Sequence, residues 1–209
     1  LAYAPKEVLP AVMKVFTQTA IQVCEGQQFD MNFEDCPIIT MDEYLKMIGL
    51  KTAVLIACSA KIGALIGGAS EEEAQALYDF GYQLGIAFQI TDDYLDVYAD
   101  PNVFGKNIGG DITNNKKSWL LTRAFEKAGD LRPKLLEAMA MPVENEEQKE
   151  LKVAAVRGIY GELGLEEEAK QEIARLHGQA LGYVAQLGLG QDAESILQSY
   201  AAKLIGRSK

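Results

Sequence analysis

Residues 88 to 96 read Phe88-Gln89-Ile90-Thr91-Asp92-Asp93-Tyr94-Leu95-Asp96, three carboxylates in a segment that is otherwise largely apolar from Phe80 to Tyr98. At about 100° per residue, Asp92, Asp93, Asp96 and Gln89 share one arc of a helix. Carboxylates so crowded raise one another's proton affinity and are costly to bury without a compensating cation. No Lys or Arg lies between Lys61 and Lys106 to supply one locally. Mg²⁺ is the natural partner, held by one or two carboxylates with waters and substrate phosphates completing its shell. The competing reading is a solvated acidic stripe, but such stripes usually alternate acid with base, and this helix carries Phe88, Ile90, Leu95 and Val97 among its acids and no base.

The segment Asp100-Pro101-Asn102-Val103-Phe104-Gly105-Lys106-Asn107-Ile108-Gly109-Gly110-Asp111 follows, a loop punctuated by Gly, Asn and Pro, and Lys116 and Lys117 come next. An acidic metal face followed by lysines on a glycine-permitted loop suits a diphosphate, whose charge is shared between Mg²⁺ and ammonium groups. An ordinary polar connector with Lys106 in solvent is the alternative.

On these residues the chain resembles the trans-type polyprenyl diphosphate synthases. Gly26-Gln27-Gln28-Phe29-Asp30 is similar to the family's GQxxD, Tyr44 with Lys51-Thr52 to its Y…KT, Phe88 to Asp96 to its FQxxDDxxD, and Gly105-Lys106, Gly110-Asp111 and Lys116 to its GK…GD…K series. The resemblance implies condensation of an allylic diphosphate with isopentenyl diphosphate. It implies that Asp92, Asp93 and Asp96 hold Mg²⁺ and that Lys51 and Lys106 are catalytic, stabilising charge on the departing diphosphate. Gln27, Thr52, Phe88, Gln89 and Lys116 would join those lysines in binding substrate. For Gln27 and Asp30, hydrogen bonding to a facing helix stays an open alternative. For Phe88 the choice lies between cation–π stabilisation of an allylic cation and plain core packing.

One departure stands against these matches. The family carries two aspartate-rich motifs on facing helices, and only the second is present. Glu71-Glu72-Glu73 and Glu166-Glu167-Glu168 do not replace the first, because each opens a helical pattern where acids complement the helix dipole. With Leu1 in place of a methionine, the chain is expected to be the C-terminal two thirds of a longer protein and nearly inactive alone. Two other classes compete: a non-catalytic regulatory subunit of a prenyl synthase, and a terpene cyclase-like lyase. The full motif series favours elongation over both.

The elements that must position these groups are helical throughout, expected at 6–31, 41–67, 71–98, 117–128, 131–140, 145–160, 165–187 and 193–205. Thr40 with Glu43 and Ser70 with Glu73 form capping boxes, Asp130 and Asp192 are candidate N-caps, and Gly161, Gly164, Gly188 and Gly190 mark turns. Gly63 with Gly67 and Gly81 with Gly85 are spaced for close helix packing. An all-α bundle follows, and the resemblance makes it isoprenoid-synthase-like, lacking its N-terminal helices, with residues 1–209 as a single domain. The 48% hydrophobic content supports a sizeable core, and a net charge of −10 argues against nucleic acid as a partner. Ala53 to Ala69 contains Lys61 and reads as a buried helix rather than a membrane span. Cys24, Cys36 and Cys58, without a CxxC, point to free thiols in a reducing, cytoplasmic compartment. The resemblance implies a homodimer. His177 reads as structural or exposed, and Arg207 and Lys209 as frayed ends.

Overall fold

The computed structural model describes residues 4–99 and 108–206, so Gly105, Lys106, Arg207 and Lys209 lie outside the described residues. Every regular element among those residues is helical: α1 Leu9–Glu34, α2 Met41–Ile48, α3 Val54–Ile66, α4 Glu71–Tyr98, α5 Gly110–Thr113, α6 Trp119–Lys127, α7 Arg132–Met139, α8 Glu146–Glu162, α9 Leu165–Gln186 and α10 Gln191–Ile205. A π-helical segment, Gly49–Ala53, joins α2 to α3, and a 3₁₀ turn, Gly129–Leu131, precedes α7.

The starts of α2 and α4 follow from their caps. The backbone N–H of Thr40 donates to the Glu43 carboxylate at 2.7 Å and the N–H of Glu43 to the Thr40 hydroxyl at 3.2 Å, with the same reciprocal pair at Ser70 and Glu73. Elsewhere the boundaries shift. Asp130 lies inside the 3₁₀ turn and caps nothing, because Pro133 near the start of α7 needs no amide partner there. Asp192 sits in the first turn of α10, capped by Gly190, and there its charge complements the dipole. Gly161 continues α8, and the turn falls at Gly164, whose φ of +69° is left-handed.

The chain forms two compact units. Among the described residues the first comprises 4–29, 45–89 and 173–206; the second comprises 30–44, 90–99 and 108–172. In the first, Phe80, Leu84, Ala180, Val184 and Ala201 form one buried cluster and Val12, Ala64, Leu65 and Ala74 another. Within this unit α4 presses on the segment before it: a Cβ on Gly85 would stand 2.5 Å from the Ala53 Cα, and one on Gly81 2.8 Å from the Ala57 Cα. The other glycine pair does not act this way, since Gly63 faces open space and Gly67 is the C-cap of α3. The second unit is centred on buried Ile90, Leu95, Val97, Leu120, Phe125, Leu135, Ile159, Tyr160 and Leu165.

By length and composition the run Met41–Ile66 could cross a membrane. Its packing makes it a core helix instead: Lys61, buried on it, binds Glu71 at 2.7 Å and Gln75 at 2.8 Å, and glycines of α4 close against its backbone. All three cysteines are free thiols.

The two kinds of glycine separate in a denaturation experiment. Gly85→Ala must push apart two backbones and costs about 1–3 kcal/mol, whereas Gly182→Ala in α9, with nothing within 4 Å of the added methyl, gains about 0.5–1 kcal/mol of helix propensity. Urea midpoints moving in opposite directions check this, and coincident midpoints would contradict it.

Candidate functional site

The second unit builds an acidic cluster around one buried carboxylate. The Thr40–Glu43 box sets the start of α2 and with it Tyr44, a fully buried phenol that donates to Asp93 Oδ2 at 2.6 Å. The same oxygen accepts the backbone N–H of Trp119 at 2.8 Å. Trp119 is the first residue of α6, capped by Ser118, so its N–H is one that helix geometry leaves without an internal partner. Asp93 is only 1% exposed, and its burial is tolerable because these donors replace lost water. Burial first, then the neighbouring Asp93 charge, push the Tyr44 phenol well above its ordinary pKa, so it stays a donor.

A second set of contacts holds Gly109 and Asp111 against α4. The N–H of Gly109 donates to the backbone carbonyl of Asp96 at 2.7 Å, and the N–H of Asp111 to Asp96 Oδ2 at 2.9 Å. Only glycine fits at 109: φ is +82°, and a Cβ would lie 2.6 Å from a Val153 methyl. At the other end of α5, buried Lys152 reaches the Thr113 carbonyl at 3.4 Å, its ammonium disfavoured by burial.

These bonds place Asp111 among the acids. Burial chiefly, with the charge of Asp93 added and Lys116 opposing, pushes its carboxyl up to about 7. Lys116 Nζ lies 3.1 and 3.2 Å from the Asp111 oxygens and 3.8 Å from Asp93 Oδ1. Burial weighs against its charge, but Asp93 and Asp111 outweigh burial and raise its pKa. From sequence alone Asp111 has a place in a motif and no role; the signal for its place in the cluster is the Gly109-Gly110 pair, a turn signal just before it.

Asp92, Asp93, Asp96 and Lys116 thus share the second unit with Asp111. Lys116 and Lys117 also line, with Asp30, Glu34, Asn114 and Asn115, a cleft of about 550 Å³ in that unit. The remaining described candidates belong to the first unit. Lys51 and Thr52 sit in the π-helical segment, a distortion frequent at functional sites. The Thr52 hydroxyl donates to the Gln89 side-chain oxygen at 2.9 Å, and Phe88 beside it is half-buried. A side chain at Gly26 would collide with the Lys51 backbone, which fixes α1 there, and Gln27 next to it is exposed. His177 is half-buried, and its Nε2 has no hydrogen-bond partner among the described residues.

Two half-buried carboxylates one turn apart, Asp92 and Asp96, fit an ion such as Mg²⁺ that takes few protein ligands and leaves room for water and phosphate. Among the described residues no set of three or more His, Cys, Asp or Glu forms a complete metal cage.

Comparison with known proteins matches residues 2–157 to the polyprenyl synthetase family model. A short chain isoprenyl diphosphate synthase of Methanothermobacter thermautotrophicus is 43% identical over 124 residues, 59% of this chain and 38% of that protein. A crystal structure of a geranylgeranyl pyrophosphate synthase superimposes with a TM-score of 0.91 at 38% identity, covering 98% of this chain and 63% of the other. A geranylgeranyl pyrophosphate synthase from Corynebacterium glutamicum, in complex with isoprenyl diphosphate and magnesium, gives 0.86 at 28% identity over 97% of this chain and 57% of that one. The chain therefore spans less than two thirds of the length of these proteins.

Tyr44→Phe withdraws one of two donors from a buried carboxylate oxygen and lowers stability by about 1–3 kcal/mol. Chemical denaturation checks this, and a midpoint equal to the wild type would contradict it.

Proposed function

Because the chain belongs to the polyprenyl synthetase family, we propose that it provides the second aspartate-rich part of a trans-prenyltransferase that joins an allylic diphosphate to isopentenyl diphosphate. The observation that carries this reading is the pairing of Lys116 with Asp111, whose amide binds Asp96, on the helix that also bears Asp92: a face suited to a polyanion only when cations accompany it. Asp92 and Asp96 would hold Mg²⁺, which when bound supplies Lewis-acid stabilisation of the diphosphate as it departs.

The chain's own groups do the rest. The allylic carbon–oxygen bond breaks with its electron pair leaving on the diphosphate. Lys116 neutralises part of that charge, and Lys51 and Lys106 serve the same end in this reading. The double bond of isopentenyl diphosphate forms the new carbon–carbon bond, and the resulting cation loses a proton to the departed diphosphate, the C–H electron pair becoming the new double bond. No side-chain nucleophile takes part. A cytoplasmic location and a homodimer belong to the same proposal. With a single aspartate-rich motif, the 209-residue chain alone turns over slowly.

Calorimetry tests the reading. Mg²⁺ and an allylic diphosphate bind together more tightly than either alone, because each supplies what the other's charge requires; equal affinities in the separate and combined titrations would contradict it. Lys51→Ala weakens the diphosphate about tenfold or more with little change in thermal stability, since a half-exposed charge contributes little to folding. Loss of stability with undiminished affinity would contradict that assignment.

A further inference from the structure

We propose that Asp93, the middle carboxylate of the acidic run, is a positioning residue that acts through Lys116 and is not a ligand of the metal. This rests on the diphosphate-binding reading above and divides the labour within it.

The three aspartates differ in surroundings. Asp92 and Asp96 are half-buried, whereas the Asp93 side chain is 1% exposed. Its Oδ2 takes two donors, the Tyr44 hydroxyl and the Trp119 N–H, from two different elements. A cation coordinated there would have to displace both within a closed interior. Oδ1 is turned toward Lys116 at 3.8 Å, too long for a hydrogen bond and short enough to direct the ammonium by charge.

The lysine is held from several sides. Its backbone N–H donates to the Asp111 carbonyl at 2.9 Å, the Ser118 N–H donates to the Lys116 carbonyl at 2.8 Å, and Asn115 before it turns the chain at φ +50°. The Lys116 side chain is 42% exposed. The acid thus has no open surface and the ammonium does. Asp111, hydrogen-bonded to the ammonium at 3.1 and 3.2 Å, and Asp93, acting on it by charge at 3.8 Å, together set where Lys116 stands, and Lys116 meets the diphosphate.

A double-mutant cycle on the 209-residue chain tests this with Mn²⁺, followed by electron paramagnetic resonance in the presence of inorganic pyrophosphate, and pyrophosphate affinity, followed by calorimetry. Asp92→Asn and Asp96→Asn weaken Mn²⁺ about tenfold or more. Asp93→Asn leaves Mn²⁺ within about threefold, yet weakens pyrophosphate about tenfold when Lys116 is present and less than about twofold in a Lys116→Gln background. Tyr44→Phe keeps the charge of Asp93 but loosens its aim; it shows the same pattern at smaller size and decides the question should Asp93→Asn not fold.

If Asp93→Asn loses Mn²⁺ as Asp92→Asn does, Asp93 is a ligand and the proposal fails. If its pyrophosphate loss is equal in both Lys116 backgrounds, its role is merely structural and the proposal fails. Wild-type chain that binds pyrophosphate no better with Mn²⁺ than without overturns the diphosphate reading itself, and this inference with it.

Discussion

The burial of one charged group organises the second unit. A carboxylate removed from water is tolerable only where donors replace the water, and Asp93 obtains them from the Tyr44 phenol and the first amide of α6. Each partner gains as well: the amide is one that a helix start cannot satisfy internally, and the phenol is buried and needs an acceptor. Three segments far apart in sequence are thereby tied at a single side chain. The position of Lys116, three residues before Trp119, follows from that tie.

The neighbouring acids are placed by different means. Asp96 receives the amide of Asp111, and Gly109 allows that approach with a left-handed φ, close against Val153. Asp111 is carried into the cluster by the same turn. The resulting crowding, added to burial, lifts its carboxyl to about 7. In the first unit the π-helical segment that bears Lys51 and Thr52 is held by close approach of Gly26 to its backbone, and Thr52 is bonded to Gln89. Both arrangements use glycine where a side chain would collide, with the Lys51 backbone at Gly26 and with the Val153 side chain at Gly109.

Much of this was legible in the amino-acid sequence. The limits of α4 were plain because Ser70 and Glu73 cap its start and 28 residues of helical pattern follow. Other features were hidden for physical reasons. A four-residue helix such as α5 has no periodicity to read, and its register depends on Asp96, fifteen residues earlier. Asp130 looked like a cap because local propensity cannot weigh Pro133 against it. The difference among the three aspartates was invisible for a deeper reason: the run presents equivalent acids on one face, and what sets Asp93 apart is Tyr44, 49 positions away. Contacts at such separation leave no periodic trace.

The central claim is that one carboxylate of the run anchors the site while its neighbours face the metal. The most direct measurement is a crystal structure of the protein with Mg²⁺ and a non-hydrolysable allylic diphosphate. The account predicts Mg²⁺ bound by Asp92 or Asp96 together with phosphate oxygens, and Asp93 still bonded to Tyr44 and the Trp119 amide with Lys116 turned to the diphosphate. A structure in which Asp93 has released Tyr44 and Trp119 to coordinate the ion would contradict it.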